Sequence, residues 1–565
     1  MKYLLIILFF SIFTNARSFD TLSSLEKKSA KRALKKYQLE ISNDYKNKKI
    51  GQIYIYVEEP FTKNQFLSFS NLFHVNTKES LIRKDIFIKT KDVYSEEKIF
   101  DSEQTLKNST RVFAFILPVK SINDNHESEV IDLLIVSKDI ISIYTNCNFN
   151  ISSWSFNNLD LSFGETNFLG LNQKLIFNYN LDSINHAVDF YYFVPLLSGW
   201  QIKVRPGMYI GKDQEKTLGY YANADIAYPL RSFSDKWGFL ASFTAYKKLL
   251  MDVRDNVVNK VKVLDKQIEK RYTYQDMLSE IRFDRSFGYL YKKELYFGHK
   301  IHYKKAIPAK NLQLSTKEED FFINNYLPKN ELESFIFIGT KYFENRFLNL
   351  YNYDTFSLQE TLRLGFNADF SLDMASTIIA SDKLFLRPNM YLSYTFSFIN
   401  DGFLSINAFA SSRIKGFENT RYNGTILLVA PQLFKSIRHV ARVYYTETIN
   451  NKDNLSYSLG SNTWLRGIKP RFFRGSKVFS SNLEARSIPL DLKIIQTGLI
   501  AFYDVGLAFN KWKKFNPTHS VGLGLRFLVP QLSNQVVSFD AAYPIYSSAP
   551  AQDRIIFSFN IGQKF

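Results

Sequence analysis

Glu484, Arg486, Asp504, Arg526 and Asp540 have the spacing to share one wall of a sheet. Side chains alternate between the two faces of a strand, so residues two apart look the same way. Glu484 and Arg486 share a face of the segment 482–488. Phe502, Asp504 and Gly506 share one in the next segment, Gly522, Gly524 and Arg526 in the one after, and Asp540 lies in Val537 to Tyr543. The opposite faces are apolar, so all five charges turn to the same side. The loop Leu465-Arg466-Gly467-Ile468 brings one more arginine just upstream. Guanidinium and carboxylate match as a fork, so an arginine loop folded inward would bond well there. Parity alone leaves two readings open: an ion-pair network, or a water-filled wall with unpaired charges.

The chemistry on offer is pairing, not catalysis, and no enzyme is expected. His519-Ser520 opens a strand with no acid partner in sight, and Gly522-x-Gly524 lacks the third glycine and the helix of a dinucleotide fingerprint. Those glycines read better as small residues giving the loop room. With one cysteine, Cys147, neither an intrachain disulfide nor a cysteine metal cluster can form. Cofactor and metal are both expected to be none. The net charge of +18 invites a nucleic-acid reading, but the basic residues are spread along the chain, and those between Lys260 and Lys305 read as loop and lumen charges. No nucleic-acid partner is expected.

The elements that must position these charges are strands. Phe (52) and Tyr (34) are abundant enough to favour strands over helices. In Val521 to Phe527, Val521, Leu523, Leu525 and Phe527 share one face. In the last segment Ile555, Phe557, Phe559, Ile561 and Phe565 do the same, opposite Ser558, Asn560 and Gly562. Strands with one apolar and one polar face are the signature of a transmembrane barrel, and no later run is long and apolar enough for a membrane helix. The fold class is mainly β: a C-terminal transmembrane antiparallel barrel over 157–565, behind a small mixed unit.

That unit is read over 50–138. Gln52 to Val57 is a strand, Thr77 and Ser95 cap two short helices, and Val112 to Val119 and Val130 to Val136 are strands. The order is β-α-α-β-β, a small sheet covered on one face by two helices. Residues 139–156 read as a linker. Residues 17–49 hold ten basic and four acidic residues around an amphipathic helix. It reads as a spacer with a solvated lysine face, with contact to anionic lipid headgroups as the other reading. Residues 1–16 read as a secretory signal: Lys2, the apolar run Leu4 to Phe13, then Thr14-Asn15-Ala16.

The C-terminal segments resemble, in order, the motifs of the BamA/TamA superfamily of outer-membrane assembly factors and two-partner secretion transporters. Leu465-Arg466-Gly467-Ile468 is similar to the family's arginine-glycine loop tip, with Ile468 where Tyr or Phe is usual. Ser481 to Arg486, Phe502-Tyr503-Asp504-Val505-Gly506, Gly522 to Phe527, Phe539 to Pro544 and Phe557 to Gly562 with terminal Phe565 resemble the strands that follow. Glu165 to Gln173 resembles the first barrel hairpin, with Asn172 in place of a second glycine. Asn76 to Arg83 and Asp92 to Glu97 resemble a POTRA domain, and one such domain is found. The middle, 185–450, matches by strand pattern alone. There the pattern gives slightly more strands than the family's number, so the reading takes about 16 and assigns the surplus to miscounted strands or loop hairpins.

The resemblance implies roles. Arg466 and Gly467 would lock the loop inside the lumen, with Arg466 pairing Asp504 or Glu484; Arg486, Arg526 and Asp540 would complete the lumenal network. The seam between first and last strands would be weak, at Gly164, Glu165 and Asn167 on one side and Gly562 and Phe565 on the other. The implied place is the bacterial outer membrane with the POTRA domain in the periplasm. The implied partners are an unfolded outer-membrane or secreted client, outer-membrane lipid, and periplasmic or lipoprotein accessory subunits. The implied function is assembly and insertion, or translocation. A dedicated two-partner secretion pore and a passive channel or structural barrel are the alternatives.

Overall fold

Alternation carries most of the chain beyond Ile143 into one closed antiparallel sheet in the computed structural model. The structure describes residues 19–561, apart from 62–67, 108–110, 123–128, 153–154, 183, 255–256, 357, 400, 433–435, 454–455, 462, 493, 533–534 and 547–554. The signal segment 1–16, Gly562 and Phe565 lie outside the described residues.

The barrel has 20 strands, not the sixteen or so expected from the sequence. Glu331–Glu344 and Arg346–Tyr351 form one broken strand, as do Lys477–Ser487 and Leu490–Leu492. The surplus seen in the sequence pattern is therefore largely wall. Two small ladders, Val253–Arg254 with Val257–Val258 and Lys260–Val263 with Lys266–Glu269, do belong to a loop. The outer face carries exposed Leu499, Leu523, Leu525 and Phe527, while Ile500, Phe502, Gly524 and Arg526 are buried within. An apolar band around a closed sheet with no free edge is what a bilayer requires.

The barrel starts earlier than expected. Strand β5 (Ile143–Ser152) precedes β6 (Ser155–Phe168), β7 (Gln173–Leu181) and β8 (Asn185–Pro195). Most of the segment 139–156 is thus wall, not linker. In sequence β5 alternates Thr145, Cys147 and Phe149 with Asn146, Asn148 and Asn150. Asparagine is poor in strands by propensity, and only pairing reveals the element. The last strand, Ile556–Ile561, closes the barrel on β5.

At the end where β5 begins sits the N-terminal unit. Strands β2 (Lys49–Glu58), β3 (Arg111–Ser121) and β4 (Val130–Asp139), with helices α2 (Glu79–Lys84) and α3 (Glu96–Leu106), show the β-α-α-β-β order. β2 pairs β4 in parallel and β3 pairs β4 antiparallel. Ser95 caps α3 as its sequence suggests, accepting from the Lys98 N–H at 3.3 Å, a cap worth ~1 kcal/mol. Thr77 does not cap α2, whose N-cap is Lys78 with no side-chain bond; Thr77 is buried instead, its N–H donating to Asp139 at 2.7 Å.

The helix of 17–49 is not a spacer. Helix α1 (Ser24–Tyr37) and the short strand β1 (Leu39–Ile41) belong to the unit, which makes the sheet four-stranded in the order β1-β3-β4-β2. Ala30 and Ala33 are small enough to bring α1 onto Phe113, Phe115, Leu134 and Val136. The other face packs Ile82, Ile99 and Leu106 on Ile131, Leu133 and Ile135. Covered on both faces, β3 and β4 are near-continuous apolar runs.

The unit is seated on the barrel's near rim. The core under α1 continues into Phe356, Leu358, Leu528 and Val536 of the rim turns. Buried Asp101 of α3 accepts from the Ser232 hydroxyl and, at 3.0 Å, from the Phe233 N–H. Arg231 reaches Asp85 at 3.2 Å, and the Tyr289 hydroxyl donates to the Glu97 carbonyl at 2.9 Å.

Candidate functional site

The loop between strands Ile437–Ile449 and Lys477–Ser487 leaves the far end of the barrel and turns back into the lumen. Its own ladder pairs Tyr457–Leu459 with Phe473–Gly475. Leu459, Leu465, Ile468, Phe472 and Phe473 pack on wall residues Val478, Leu507, Ala508 and Phe509. Apolar contact therefore seats the loop, and Ile468, fully buried, serves that packing. At the tip, Gly467 has φ +84°, the left-handed region that side chains disfavour. A Cβ there would also lie 3.1 Å from the Ser520 Cβ.

This turn delivers Arg466, 1% exposed, to two carboxylates. Its Nε and Nη2 donate to Asp504 Oδ2 and Oδ1, each at 2.8 Å, and its backbone N–H donates to Oδ2 at 3.1 Å. Nη1 donates to Glu484 Oε1 at 2.6 Å. The guanidinium lies 3.5 Å from the centroid of the Phe502 ring, and the Ser520 hydroxyl donates to the Arg466 carbonyl. The sequence left open whether Asp504 or Glu484 would be the partner. Both are.

The neighbouring charges complete the arrangement. Arg486 Nε donates to Glu484 Oε2 at 2.8 Å, and its Nη1 donates to the Tyr353 carbonyl at 2.9 Å. Arg526 Nη1 donates to Asp540 Oδ1 at 2.7 Å. Asp540 Oδ2 lies 3.8 Å from Arg466 Nη1, joining the two pairs. Of the two readings of the wall, the ion-pair network is the one found. The glycines make room for wall side chains rather than for the loop itself: a Cβ on Gly522 would fall 2.2 Å from the Phe502 ring, and one on Gly524 2.1 Å from Asp540 Oδ1.

Such a cluster is held by its mutual pairing. Buried ion pairs recover their desolvation cost only when each partner is present, and removing one partner costs ~3–5 kcal/mol. The arrangement can fasten a loop. It presents no nucleophile beside a base, and no group of three or more potential metal ligands occurs among the described residues.

Sequence reasoning missed Asn482, whose amide bonds Asp504 Oδ1 at 2.8 Å and the Trp464 carbonyl at 2.7 Å. Its parity with Glu484 was the available signal. It also missed a second buried network on a neighbouring stretch of the wall. Arg413 bonds both Glu331 and Glu333, Arg387 bonds Glu333 and Asp373, and Lys304 bonds Glu333. The same-face pair Glu331 and Glu333 could have flagged it, but their partners lie on strands far along the chain.

The seam differs from expectation. Gly164, Glu165 and Asn167 lie in β6, one strand in from closure, because β5 intervenes. Among the described residues, the seam pairs Phe557, Ser558 and Phe559 with Ile151, Asn150 and Phe149. Phe149 and Phe559 stack at 5.1 Å, and the Asn148 side chain accepts from the Ile561 N–H at 2.7 Å. Gly164 is a close-approach position, where a Cβ would sit 2.1 Å from the Leu175 carbonyl oxygen. Glu165 accepts from the Asn167 N–H at 2.9 Å. Asn167 is a fastener between barrel and N-terminal unit, donating to the Val75 carbonyl at 3.0 Å and the Thr77 hydroxyl at 3.1 Å.

No family model matches the chain, so none supports the POTRA reading of the N-terminal unit. No curated protein matches either. Among solved structures the chain is similar to BamA from Haemophilus ducreyi lacking POTRA domains 1–3, at 12% identity and TM-score 0.35, over 91% of this chain and 84% of that one. It is similar to CdiB from Acinetobacter baumannii at 11% and 0.43, over 95% and 80%. It is also similar to the siderophore receptor PirA from Acinetobacter baumannii at 9% and 0.35, over 74% and 65%. Likenesses this distant assign no activity.

Proposed function

We propose that the protein is an outer-membrane assembly or translocation factor: the N-terminal unit receives an unfolded client and the barrel inserts or exports it. The observation that carries this reading is the pairing of a loop locked into the lumen by Arg466 with a seam that shows three register pairs among the described residues. A passive pore needs neither. The N-terminal unit would meet clients through its sheet edge. β2 is an edge strand, and beyond the bridge from Lys49 to Val93 no described strand pairs with its outer side. An extended peptide can add to such an edge. With no ATP in the periplasm, client folding would drive the process.

The test is reconstitution of the full chain in liposomes with an unfolded outer-membrane barrel, scored by client protease resistance. Faster client insertion than in empty liposomes is expected, with Arg466→Ala slower than wild type while its own barrel stays folded. No acceleration by a folded, inserted chain would overturn the assembly reading. A dedicated secretion pore is the second reading, because the lumen is filled by a loop that could withdraw as a plug. Conductance that rises in Arg466→Ala without client insertion would favour it.

A further inference from the structure

The stretch Ser68–Phe73, with the residues that follow it, is built inside out. Two of its polar side chains turn inward. Asn71 holds the Phe61 backbone through its amide, at 3.2 Å from the N–H and 2.7 Å from the carbonyl. His74 is buried against Asp139 and Ser142. Its apolar side chains turn outward: Phe69, Leu72, Phe73 and Val75 are all exposed, Leu72 by 84%. An element facing water has the opposite arrangement.

The lobe is fixed in position. Asn167 of the barrel bonds the Val75 carbonyl, and the Lys78 N–H donates to the Gly170 carbonyl at 3.0 Å. Gly170 lies so close that a Cβ on it would sit 2.5 Å from the Asn76 carbonyl oxygen. Beside it, at the apex of the β6–β7 turn, Leu169 is held at φ +57° and is exposed too. The apolar surface then continues up the outer wall. Phe163, Phe177 and Phe190 are register partners across β6, β7 and β8 and are all exposed.

We propose that the lobe of Phe69, Leu72, Phe73 and Val75 is inserted among the acyl chains of the membrane leaflet at the near end of the barrel, just below β6 and β7. Continuity with the lipid-facing wall identifies the occupant. A soluble partner would have to end where the phenylalanine ladder begins, whereas a leaflet covers both without a break. Ser68–Val75 contains no Asp, Glu, Lys or Arg; His74 is turned inward, and the Asn71 amide also donates to Glu59 at 2.9 Å. It would tie the N-terminal unit to the membrane one strand away from the seam. The inference requires a membrane-embedded barrel, and it holds whether that barrel assembles, secretes or conducts.

The experiment uses the full chain with Cys147→Ser, carrying a single cysteine labelled with an environment-sensitive dye, in phosphatidylglycerol–phosphatidylcholine vesicles. Leu72→Cys reports the lobe, Leu523→Cys the outer wall, and Lys31→Cys the water-facing side of α1. Leu72 is exposed, so its replacement leaves the core intact. Brominated acyl chains are expected to quench the labels at 72 and 523 alike and to leave the label at 31 bright. Quenching of label 72 by aqueous iodide instead would overturn the proposal. Shielding of label 72 from both quenchers would point to a protein on the lobe, a second copy or a client, and would also overturn it. Failure at 523 would show that the barrel is not embedded, and the proposal would fall with that reading.

Discussion

Arg466 grips Asp504 with three of its nitrogens, the backbone N and two of the guanidinium, from 38 residues upstream in the chain. The loop is thus pinned through main chain and side chain at once. Replacing Arg466 by Ala leaves buried Asp504 with only the Asn482 amide and the backbone N–H of the loop, and takes from Glu484 one of its two arginines, at a cost of ~3–5 kcal/mol to the seated loop. The barrel hydrogen-bond ladder is untouched. Limited proteolysis within 450–476 should therefore accelerate while the gel mobility of the folded barrel is retained. Arg466→Lys should rescue little, because an ammonium cannot fork onto Asp504 and reach Glu484 together.

Gly467 and Gly522 should act through geometry alone. Gly467→Val places a branched side chain at a left-handed φ, at a cost of about 1–2 kcal/mol, and against Ser520. Gly522→Val displaces the Phe502 ring on which Arg466 lies. Both should reproduce the protease sensitivity of Arg466→Ala although every charge is still present. Gly424, where a Cβ meets nothing nearer than 3.7 Å, should accept Ala without effect.

The seam can be stapled. Phe149 and Phe559 face each other in register, a spacing that a disulfide spans. In a Cys147→Ser background, Phe149→Cys with Phe559→Cys should oxidise to a crosslinked barrel, seen as a mobility shift that reductant reverses. If clients act at this seam, oxidation should also stop client insertion, and reductant should restore it. Full activity of the oxidised form would remove the seam from the mechanism.

Docking of the N-terminal unit should depend on pH. Burial on the rim pushes the Asp101 carboxyl above the usual range, outweighing the hydrogen bonds from Ser232 and Phe233, and nearby Asp235 adds to the rise. Burial raises Asp85 as well, against Arg111, Arg231 and Lys84. An undocked unit returns both acids to water and to ordinary values. The docked state therefore binds protons more tightly. Docking should strengthen as pH falls from neutral through the raised range, by at most about tenfold per pH unit for each proton. It should weaken as pH rises. Distance measurements between labels on α1 and the barrel rim would read this, and Asp101→Asn should flatten the profile.

Parity made much of the site legible. Glu484, Arg486, Asp504, Arg526 and Asp540 all fall inside because a period of two is local stereochemistry. Of the two expected caps one is found: Ser95 begins α3 where its side chain can take a free N–H, whereas α2 begins at Lys78 and Thr77 does not cap it. Asn482 escaped notice only because an uncharged amide draws less attention than its neighbours. The lysines of α1 suggest a solvated helix, whereas the decisive residues are Ala30 and Ala33, whose smallness matters only against a sheet.

The amino-acid sequence by itself determined that the chain alternates, which face of each strand is apolar, and that an arginine loop precedes a wall of mixed charges. These follow from backbone geometry over a few residues. Tertiary structure alone decided that 20 strands close the barrel, that β5 is one of them, and that Arg466 reaches two acids at once. It also decided that the unit beneath covers both faces of its sheet. Closure sums the stagger of every strand around the ring, so the level at which one side chain meets another belongs to no single segment.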